Sequence, residues 1–175
     1  MEFNHMPKEV FLGLGSNQGD SVSILRLAAW ELSEISECEI LGSSIWKTTP
    51  EGFSESVPDF FNAVVRIITD MTPEKLLDFV LSIETQLGRS SSQKFCHYRS
   101  RLIDIDIIDF GGLISDSDQL TLPHPRAHLR QFVLRPLLEI SPDFKFPNMR
   151  ESLEYLLDLA EDNRMSRISP LILSE

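Results

Sequence analysis

The sequence predicts a protein of the α+β class, with an antiparallel sheet and two helices packed on one face of it. Two observations predict this class. Apolar segments of strand length and two segments of helical periodicity follow the order strand-helix-strand, then strand-helix-strand. That order is the split βαβ arrangement. The length of 175 residues suits a single domain, and no linker or repeat divides the chain.

The first half of the chain predicts three strands and one helix. Residues 9–14 form an apolar run, and an aspartate N-cap opens an amphipathic helix over residues 20–36. A strand is expected across residues 40–49, before a polar loop at 51–58. The β-branched and aromatic run at 60–69 predicts the third strand.

The second half begins with a helix over residues 72–87, which a threonine cap and a proline open and a glycine ends. A Ser-rich loop at 88–100 precedes a strand at 101–110, and residues 111–123 suggest a hairpin or a short excursion. The remaining segments are apolar structure at 132–140, a short helix at 152–159 and a final dozen residues with little pattern, expected to be mobile.

Two carboxylates, Asp104 and Asp106, stand on one side of the apolar strand at 101–110. Side chains two apart on a strand point the same way, and an unpaired buried charge is costly. The aspartates therefore form salt bridges to arginines on an edge strand or bind Mg²⁺, for which hard carboxylate oxygens are suited. Strict alternation puts Ile103, Ile105 and Ile107 on the opposite side. The side of the aspartates also carries Leu102, Ile108 and Phe110.

Charge is unevenly distributed along the chain. The net charge of −11 argues against a general binder of nucleic acid or anionic membranes. Residues 89–101 hold four basic side chains and residues 124–135 hold three, with no acid in either segment. The two segments are solvated loops, or they flank the acidic strand and bind a small anion such as a polyphosphate.

The chain shows no membrane span and no signal peptide, and Cys38 and Cys96 belong to no metal-binding spacing. A cytoplasmic protein with reduced cysteines is expected. The glycines at 13, 15 and 19 miss the dinucleotide fingerprint, and the phosphate-loop lysine motif is absent from the sequence. His124 lies between two prolines in a stiff turn, where it contacts a ligand or is merely structural.

Six segments together resemble one known family. In chain order they are GSN, KTTP, DFFNAV, IETQLGR, RLIDIDI and LPHPR with RQFVLRPL, spread over residues 10–147. The set resembles the 6-hydroxymethyl-7,8-dihydropterin pyrophosphokinase family of folate biosynthesis. The resemblance implies a ferredoxin-like sandwich and a monomer that transfers pyrophosphate from ATP to the pterin, with two Mg²⁺ ions and release of AMP. It further implies a single pyrophosphokinase domain over residues 1–175, with a C-terminal helix and tail at 148–175.

The resemblance also assigns roles by position. The metal ligands are Asp104 and Asp106, which with Arg89 and Arg101 form the catalytic set. The ATP site comprises Glu84, Arg89, Arg101, Thr121, His124 and Arg130. The pterin site comprises Gly15, Thr48, Thr49, Phe60, Asn62 and Phe132. Phe60 stands where the family commonly has a tyrosine, Tyr98-Arg99-Ser100 where it usually has Trp-Gly-Pro, and Pro125 where a tyrosine is often seen.

An alternative function is a non-catalytic module that senses a metabolite, since small domains of this fold often regulate by binding. The acidic pair beside arginine-rich loops favours the enzyme, because simple sensing does not require it. For the enzyme, the loops at 51–58 and 88–100 are expected to close over ATP and pterin and exclude water.

Overall fold

The computed structural model of the protein describes residues 6–49, 58–88, 102–160 and 164–172. Within these ranges the strands are β1 (Lys8–Ser16), β2 (Leu41–Gly42), β3 (Ser44–Thr48), β4 (Phe60–Thr69), β5 (Asp104–Phe110), β6 (Ser115–Asp116), β7 (Thr121–Leu122) and β8 (Met165–Pro170). The helices are α1 (Ser21–Ser33), α2 (Pro73–Gln86), α3 (Gln131–Ile140) and α4 (Leu153–Leu159), with a 3-10 turn at Ala127–Leu129.

The main sheet has the strand order β5-β1-β4-β3-β8, and β2 also pairs with β4. Every neighbouring pair is antiparallel. The order β1-α1-β3 followed by β4-α2-β5 is the predicted split βαβ arrangement, so the predicted α+β class is confirmed. Strands β6 and β7 form the predicted hairpin apart from this sheet.

Local signals start the first two helices as predicted. The Asp20 side chain accepts a hydrogen bond from the backbone nitrogen of Ser23, and Thr72 accepts one from Lys75. Such caps satisfy backbone donors that have no partner within a helix, and Pro73 at the first helical position needs no donor. Helix α1 ends at Ser33 rather than at 36, because the next residues form tighter turns between residues three apart.

Two hydrophobic clusters cover the two faces of the sheet. The larger one joins α1 and α2 to one face, and its helical members include Leu25, Leu32, Leu76, Val80 and Ile83. The smaller cluster joins the opposite face to the C-terminal helices, through Phe11, Val64, Ile108, Leu134, Leu137 and Leu153 among others. The apolar segment predicted at 132–140 is helix α3, which therefore covers the face opposite α1 and α2.

A β-bulge in β5, the strand of the two aspartates, changes the predicted alternation of its side chains. Leu12 lies opposite Ile107 and Phe11 lies opposite Asp109, so that Ile108 is an extra residue in β5. Beyond the bulge the alternation is reversed. Phe110 was predicted on the side of the aspartates, and this prediction is wrong, because Phe110 packs in the larger cluster with the isoleucines.

The prediction for the final dozen residues is also wrong where the structure describes them. Residues 165–170 form β8, which pairs with β3. Arg26 of α1 donates hydrogen bonds to Ser169 Oγ and to the carbonyl oxygen of Pro170, both at 3.2 Å. The C-terminal segment is therefore an edge strand of the main sheet and not a mobile tail.

The predicted strand at 40–49 is divided into β2 and β3 at Ser43. The hydroxyl oxygen of Ser43 accepts a hydrogen bond from the backbone nitrogen of Val64, which interrupts the regular ladder. No helix within the described ranges is long and apolar enough to cross a membrane.

Candidate active site

A row of four residues crosses the sheet near the C-terminal end of β1. Asp104 of β5 lies opposite Gly15 of β1, Gly15 lies opposite Asn62 of β4, and Asn62 lies opposite Trp46 of β3. Residues opposite one another in a pleated sheet point to the same face. This is the face of Val64, which α3 covers farther along the strands. The acidic strand and the amide of Asn62 therefore face one side of the sheet.

Two glycines of β1, Gly13 and Gly15, lie between the strand of the aspartates and the strand of Asn62. Gly13 lies opposite Asp106, and Gly15 separates Asp104 from Asn62. Two interstrand spacings place the backbones of Asp104 and Asn62 roughly 10 Å apart. A Cβ atom on Gly15 would lie 3.3 Å from Asn62 Oδ1. The Ile108 side chain lies beside Gly13, whereas Gly15 leaves an open floor between Asp104 and Asn62, which a flat ligand can cover.

Asp104 and Asp106 share this face, as their spacing predicts, and both are only partly buried. Around Asp106 Oδ2 lie the Nε2 atom of His124 at 3.8 Å and the Nη1 atom of Arg130 at 3.7 Å. Within the described ranges, no group of three or more His, Cys, Asp or Glu side chains is arranged to hold a metal ion. The pair fits a hard cation such as Mg²⁺, which is commonly bound through one or two carboxylates together with the phosphates of a substrate.

His124 is held by its own backbone and by its neighbours. Its backbone nitrogen donates to the carbonyl oxygen of Ile108 at 2.9 Å, and its Nδ1 atom accepts from the backbone nitrogen of Arg126 at 3.1 Å. Burial lowers the pKa of His124, the charges of Arg130 and Arg126 lower it further, and Asp106 partly opposes them. The imidazole is therefore neutral at pH 7, with Nδ1 as acceptor and the Nε2 proton directed towards Asp106.

Arg130 connects the acidic side of the site with an aromatic ring. It immediately precedes α3, and its guanidinium carbon lies 5.4 Å from the centre of the Phe132 ring. Burial is the main cause that lowers its pKa, which Asp106 opposes. An arginine remains charged through such a change, so Arg130 provides a fixed positive charge beside the acid pair.

The opposite side of the floor carries a buried polar pair, Asn62 and Thr48. Asn62 Nδ2 donates to Thr48 Oγ1 at 2.8 Å, and their exposed fractions are 7% and 6%. Phe60 lies opposite Thr48 and is half-buried, as is Phe132. Aromatic surface beside fixed polar groups is typical of a site for a flat heterocycle.

Of the five other predicted residues, three lie within the described ranges. Glu84 is 1% exposed, and its Oε1 atom accepts from the backbone nitrogen of Ile105 at 2.8 Å. Thr121 is half-buried in β7, and Thr49 is exposed just after β3. Arg89 and Arg101 lie outside the described residues, as do the expected closing loops except for Pro58 and Gly88.

Trp46 is a site neighbour that the sequence analysis did not select. It lies opposite Asn62 and borders a cavity of about 470 Å³ together with Lys47, Thr49, Arg135, Arg164, Met165 and Ser166. Its position two residues before Thr48 on a strand is the signal that could have identified it.

A second cavity, of about 650 Å³, is lined by Asn17, Gln18, Gly19, Ser21, Pro58, Asp59, Phe61 and Leu102. That lining contains neither the acid pair nor Thr48 and Asn62, so this cavity is not the candidate site.

Comparisons with known proteins identify the family of the chain. Residues 11–142 match the family model described as 7,8-dihydro-6-hydroxymethylpterin-pyrophosphokinase. The 2-amino-4-hydroxy-6-hydroxymethyldihydropteridine pyrophosphokinase of Haemophilus influenzae is 35% identical over 161 residues, which cover 91% of this chain and 98% of that protein. The enzyme of the same name from Methylorubrum extorquens is 37% identical over 148 residues, covering 83% and 92% of the two chains.

A solved structure supports the fold. The Plasmodium falciparum HPPK-DHPS wild type with STZ-DHP has a TM-score of 0.67 and 15% sequence identity, over 90% of this chain and 44% of the solved one. The present chain thus spans less than half of that solved chain. The ferredoxin-like fold implied by the sequence motifs is confirmed. With the family match and the two relatives, the assignment is clear: the chain belongs to the 7,8-dihydro-6-hydroxymethylpterin-pyrophosphokinase family.

Proposed function

We propose a role for each side of the site in the reaction of this family. The chain is a pyrophosphokinase of folate biosynthesis, which transfers pyrophosphate from ATP to 6-hydroxymethyl-7,8-dihydropterin. The observation that carries our assignment is the placement of an acid pair and a buried Thr48–Asn62 pair on one face of the sheet, separated by Gly15.

In our proposal the pterin binds on the Thr48–Asn62 side of the floor. The half-buried rings of Phe60 and Phe132 flank the flat heterocycle. Asn62 and Thr48 hydrogen-bond its polar edge, and Thr49 borders the same pocket. Because Gly15 leaves the floor open between the two sides, the hydroxymethyl group of a pterin bound here points towards Asp104 and Asp106.

The phosphates of ATP bind on the acidic side of the floor. Two Mg²⁺ ions held by Asp104 and Asp106 would neutralise phosphate charge and lower the pKa of the attacking hydroxyl. Arg130 adds a positive charge beside the pair, and the neutral His124 offers an N–H donor. We assign phosphate contacts also to Arg89 and Arg101, and a nucleotide contact to Thr121, from their positions in the family motifs.

The reaction then follows from the positions of the two substrates. The pterin hydroxyl oxygen attacks the β-phosphorus of ATP, an O–P bond forms, and the bond between the β-phosphorus and its bridge to the α-phosphate breaks. AMP leaves with the electron pair of the broken bond, and the hydroxyl proton is released to solvent. No covalent intermediate with the protein is required, because positioning and charge neutralisation suffice for phosphoryl transfer.

Chromatography of the nucleotide products tests this function. Incubation with ATP, Mg²⁺ and the pterin should convert ATP to AMP in step with the formation of the pterin diphosphate, and a chelator should stop the reaction. Stoichiometric ADP would overturn the proposal, because it would indicate attack on the γ-phosphorus. Calorimetric binding of both ligands without turnover would instead support the sensing module.

We further propose that residues 1–175 act as one domain, because β8 joins the same sheet as β1 to β5 and the C-terminal segment has no separate core within the described ranges. A monomer in the cytoplasm is the expected form. Sedimentation of the purified chain and cell fractionation test the two statements.

A further inference from the structure

We propose that Glu84 is a positioning residue, which fixes the edge of β5 at the point where the acid pair is held. This inference rests on the proposed function, in which Asp104 and Asp106 bind Mg²⁺. It assigns Glu84 to the support of the metal site, whereas the sequence motifs placed it among the nucleotide contacts.

The geometry of β5 carries the inference. Among the described residues, β5 is at the end of the strand order of the main sheet, with β1 as its neighbour. In an antiparallel pair the backbone groups of alternate residues point to opposite edges. Ile105 donates its N–H to Glu84, so it is Asp104 and Asp106 that face β1 with their backbones. Glu84 therefore accepts the hydrogen bond of Ile105, the residue between the two aspartates, in place of a further strand.

Burial distinguishes this role from direct ligand contact. Glu84 lies in the last turn of α2 and is 1% exposed, so its side chain offers almost no surface to a nucleotide. The preceding residue, Ile83, packs in the larger cluster together with Ile105. The 2.8 Å hydrogen bond to Ile105 thus joins α2 and β5, which already pack on each other, and it fixes the position of β5 relative to α2.

The consequence concerns the metal site directly. Both aspartate side chains project from backbone positions adjacent to Ile105, so a displacement of this edge moves both carboxylates together. Residues that orient metal ligands without touching the metal typically change metal affinity about 10–100-fold when they are replaced. A purely structural glutamate would affect stability but not the Mg²⁺ dependence.

Three variants test the inference. Glu84→Ala removes the acceptor, Glu84→Gln keeps an oxygen that can accept from Ile105, and Val80→Ala removes core volume one turn earlier on α2, where the side chain is fully buried. We expect the Mg²⁺ concentration for half-maximal turnover to rise about 10–100-fold in Glu84→Ala. It should stay close to the wild-type value in Glu84→Gln and in Val80→Ala, although Val80→Ala lowers the melting temperature.

A second readout requires no turnover. Amide hydrogen exchange of the ligand-free protein should be faster at Ile105 in Glu84→Ala than in the wild type, and Glu84→Gln should restore protection. If Glu84→Ala does not fold, Glu84→Met, which keeps most of the buried volume, is measured in the same two ways.

Two results would overturn the inference. One is a Glu84→Ala or Glu84→Met protein with the wild-type Mg²⁺ dependence and wild-type exchange at Ile105. The other is a Glu84→Gln protein whose KM for ATP rises strongly at saturating Mg²⁺, because that would show a direct nucleotide contact. Failure of the proposed function has a different signature, in which Asp104→Asn and Asp106→Asn keep Mg²⁺-dependent turnover.

Discussion

Asn62 and Thr48 are joined across β3 and β4 by a 2.8 Å hydrogen bond from the amide nitrogen to the threonine hydroxyl oxygen. The bond fixes the orientation of the amide, because Nδ2 faces Thr48 while Oδ1 lies on the side of Gly15. In the proposed pterin site, an amide held in this way would present its oxygen to the N–H donors of the pterin edge. The hydrogen bond would then orient the acceptor before the substrate binds, which would reduce the entropy lost on binding.

The first prediction removes the hydroxyl of this pair. Thr48→Val leaves the Asn62 amide free to rotate, so we expect KM for the pterin to rise about 10-fold, the effect of one hydrogen bond of about 1.4 kcal/mol, while KM for ATP changes little. Thr69→Val is the matched control at the far end of β4. Thr69 is fully buried, and its hydroxyl accepts a hydrogen bond from the backbone of Met71. Steady-state kinetics that gave both variants the same KM for the pterin would contradict the role of Thr48.

The second prediction concerns the floor of the site. In Gly15→Ala the new Cβ would lie 3.3 Å from Asn62 Oδ1, which is closer than ordinary van der Waals contact, so the amide must shift slightly from the position in which we propose that it binds the pterin. Gly13→Ala would place its Cβ 3.4 Å from Ile108 Cδ1, which is an ordinary contact. We expect a larger increase in the pterin dissociation constant for Gly15→Ala than for Gly13→Ala. Calorimetric titration with the pterin in the presence of an unreactive ATP analogue measures both, and equal effects would argue against this role of Gly15.

The third prediction concerns the charge beside the acid pair. Arg130→Met keeps much of the side-chain volume but removes the cation 3.7 Å from Asp106 and its contact with Phe132. We expect kcat/KM for ATP to fall about 100-fold, the scale for loss of one preorganised charge contact. Arg150→Met, at an exposed position outside the site, is the control. A similar small loss in both variants would mean that Arg130 contributes only to the net charge.

The fourth prediction concerns pH and Asp109. This side chain is 4% exposed, and burial raises its pKa; a hydrogen bond from the backbone of Gly112 partly opposes this, and the charge of Glu9 adds to it. Because the folded state favours the protonated carboxyl, Asp109 contributes stability at acidic pH, and this contribution is lost as the pH rises through its raised pKa. We expect Asp109→Asn to be more stable than the wild type at neutral pH and to lose this advantage in mild acid. Urea unfolding of both proteins across this range measures the difference, and a constant difference would refute the prediction.

Some of the fold could be predicted because local signals are strong. The run at 60–69 was predicted as a strand with the bounds that the structure has, since seven of its ten residues are β-branched or aromatic. The β8 strand could not be found in this way. Most of its residues are exposed, and it exists because it pairs with β3 and because Arg167 contacts Ser44 and Glu139.

The candidate site, too, could be predicted only in part. The two-residue period of a strand suffices to predict that Asp104 and Asp106 lie on one face. The bulge at Ile108, a single extra residue, does not change the pattern of apolar residues in the sequence, so the prediction for Phe110 was wrong. Contacts such as that between Asp106 and Arg130 depend on how distant segments meet. The burial of Glu84 could not be predicted either, because glutamate is ordinarily exposed.

The turnover of Asp104→Asn and Asp106→Asn, measured against Mg²⁺ concentration, tests the central claim most directly. Asp70→Asn, exposed at the opposite end of β4, is the matched control and should keep wild-type turnover. We predict that each site variant loses at least ~100-fold in turnover, the scale of one preorganised transition-state contact. Both should keep the wild-type circular dichroism spectrum, with an unchanged or raised melting temperature, because two like charges no longer repel. Near-normal Mg²⁺-dependent turnover in both variants would contradict the account, since the pair would then be structural.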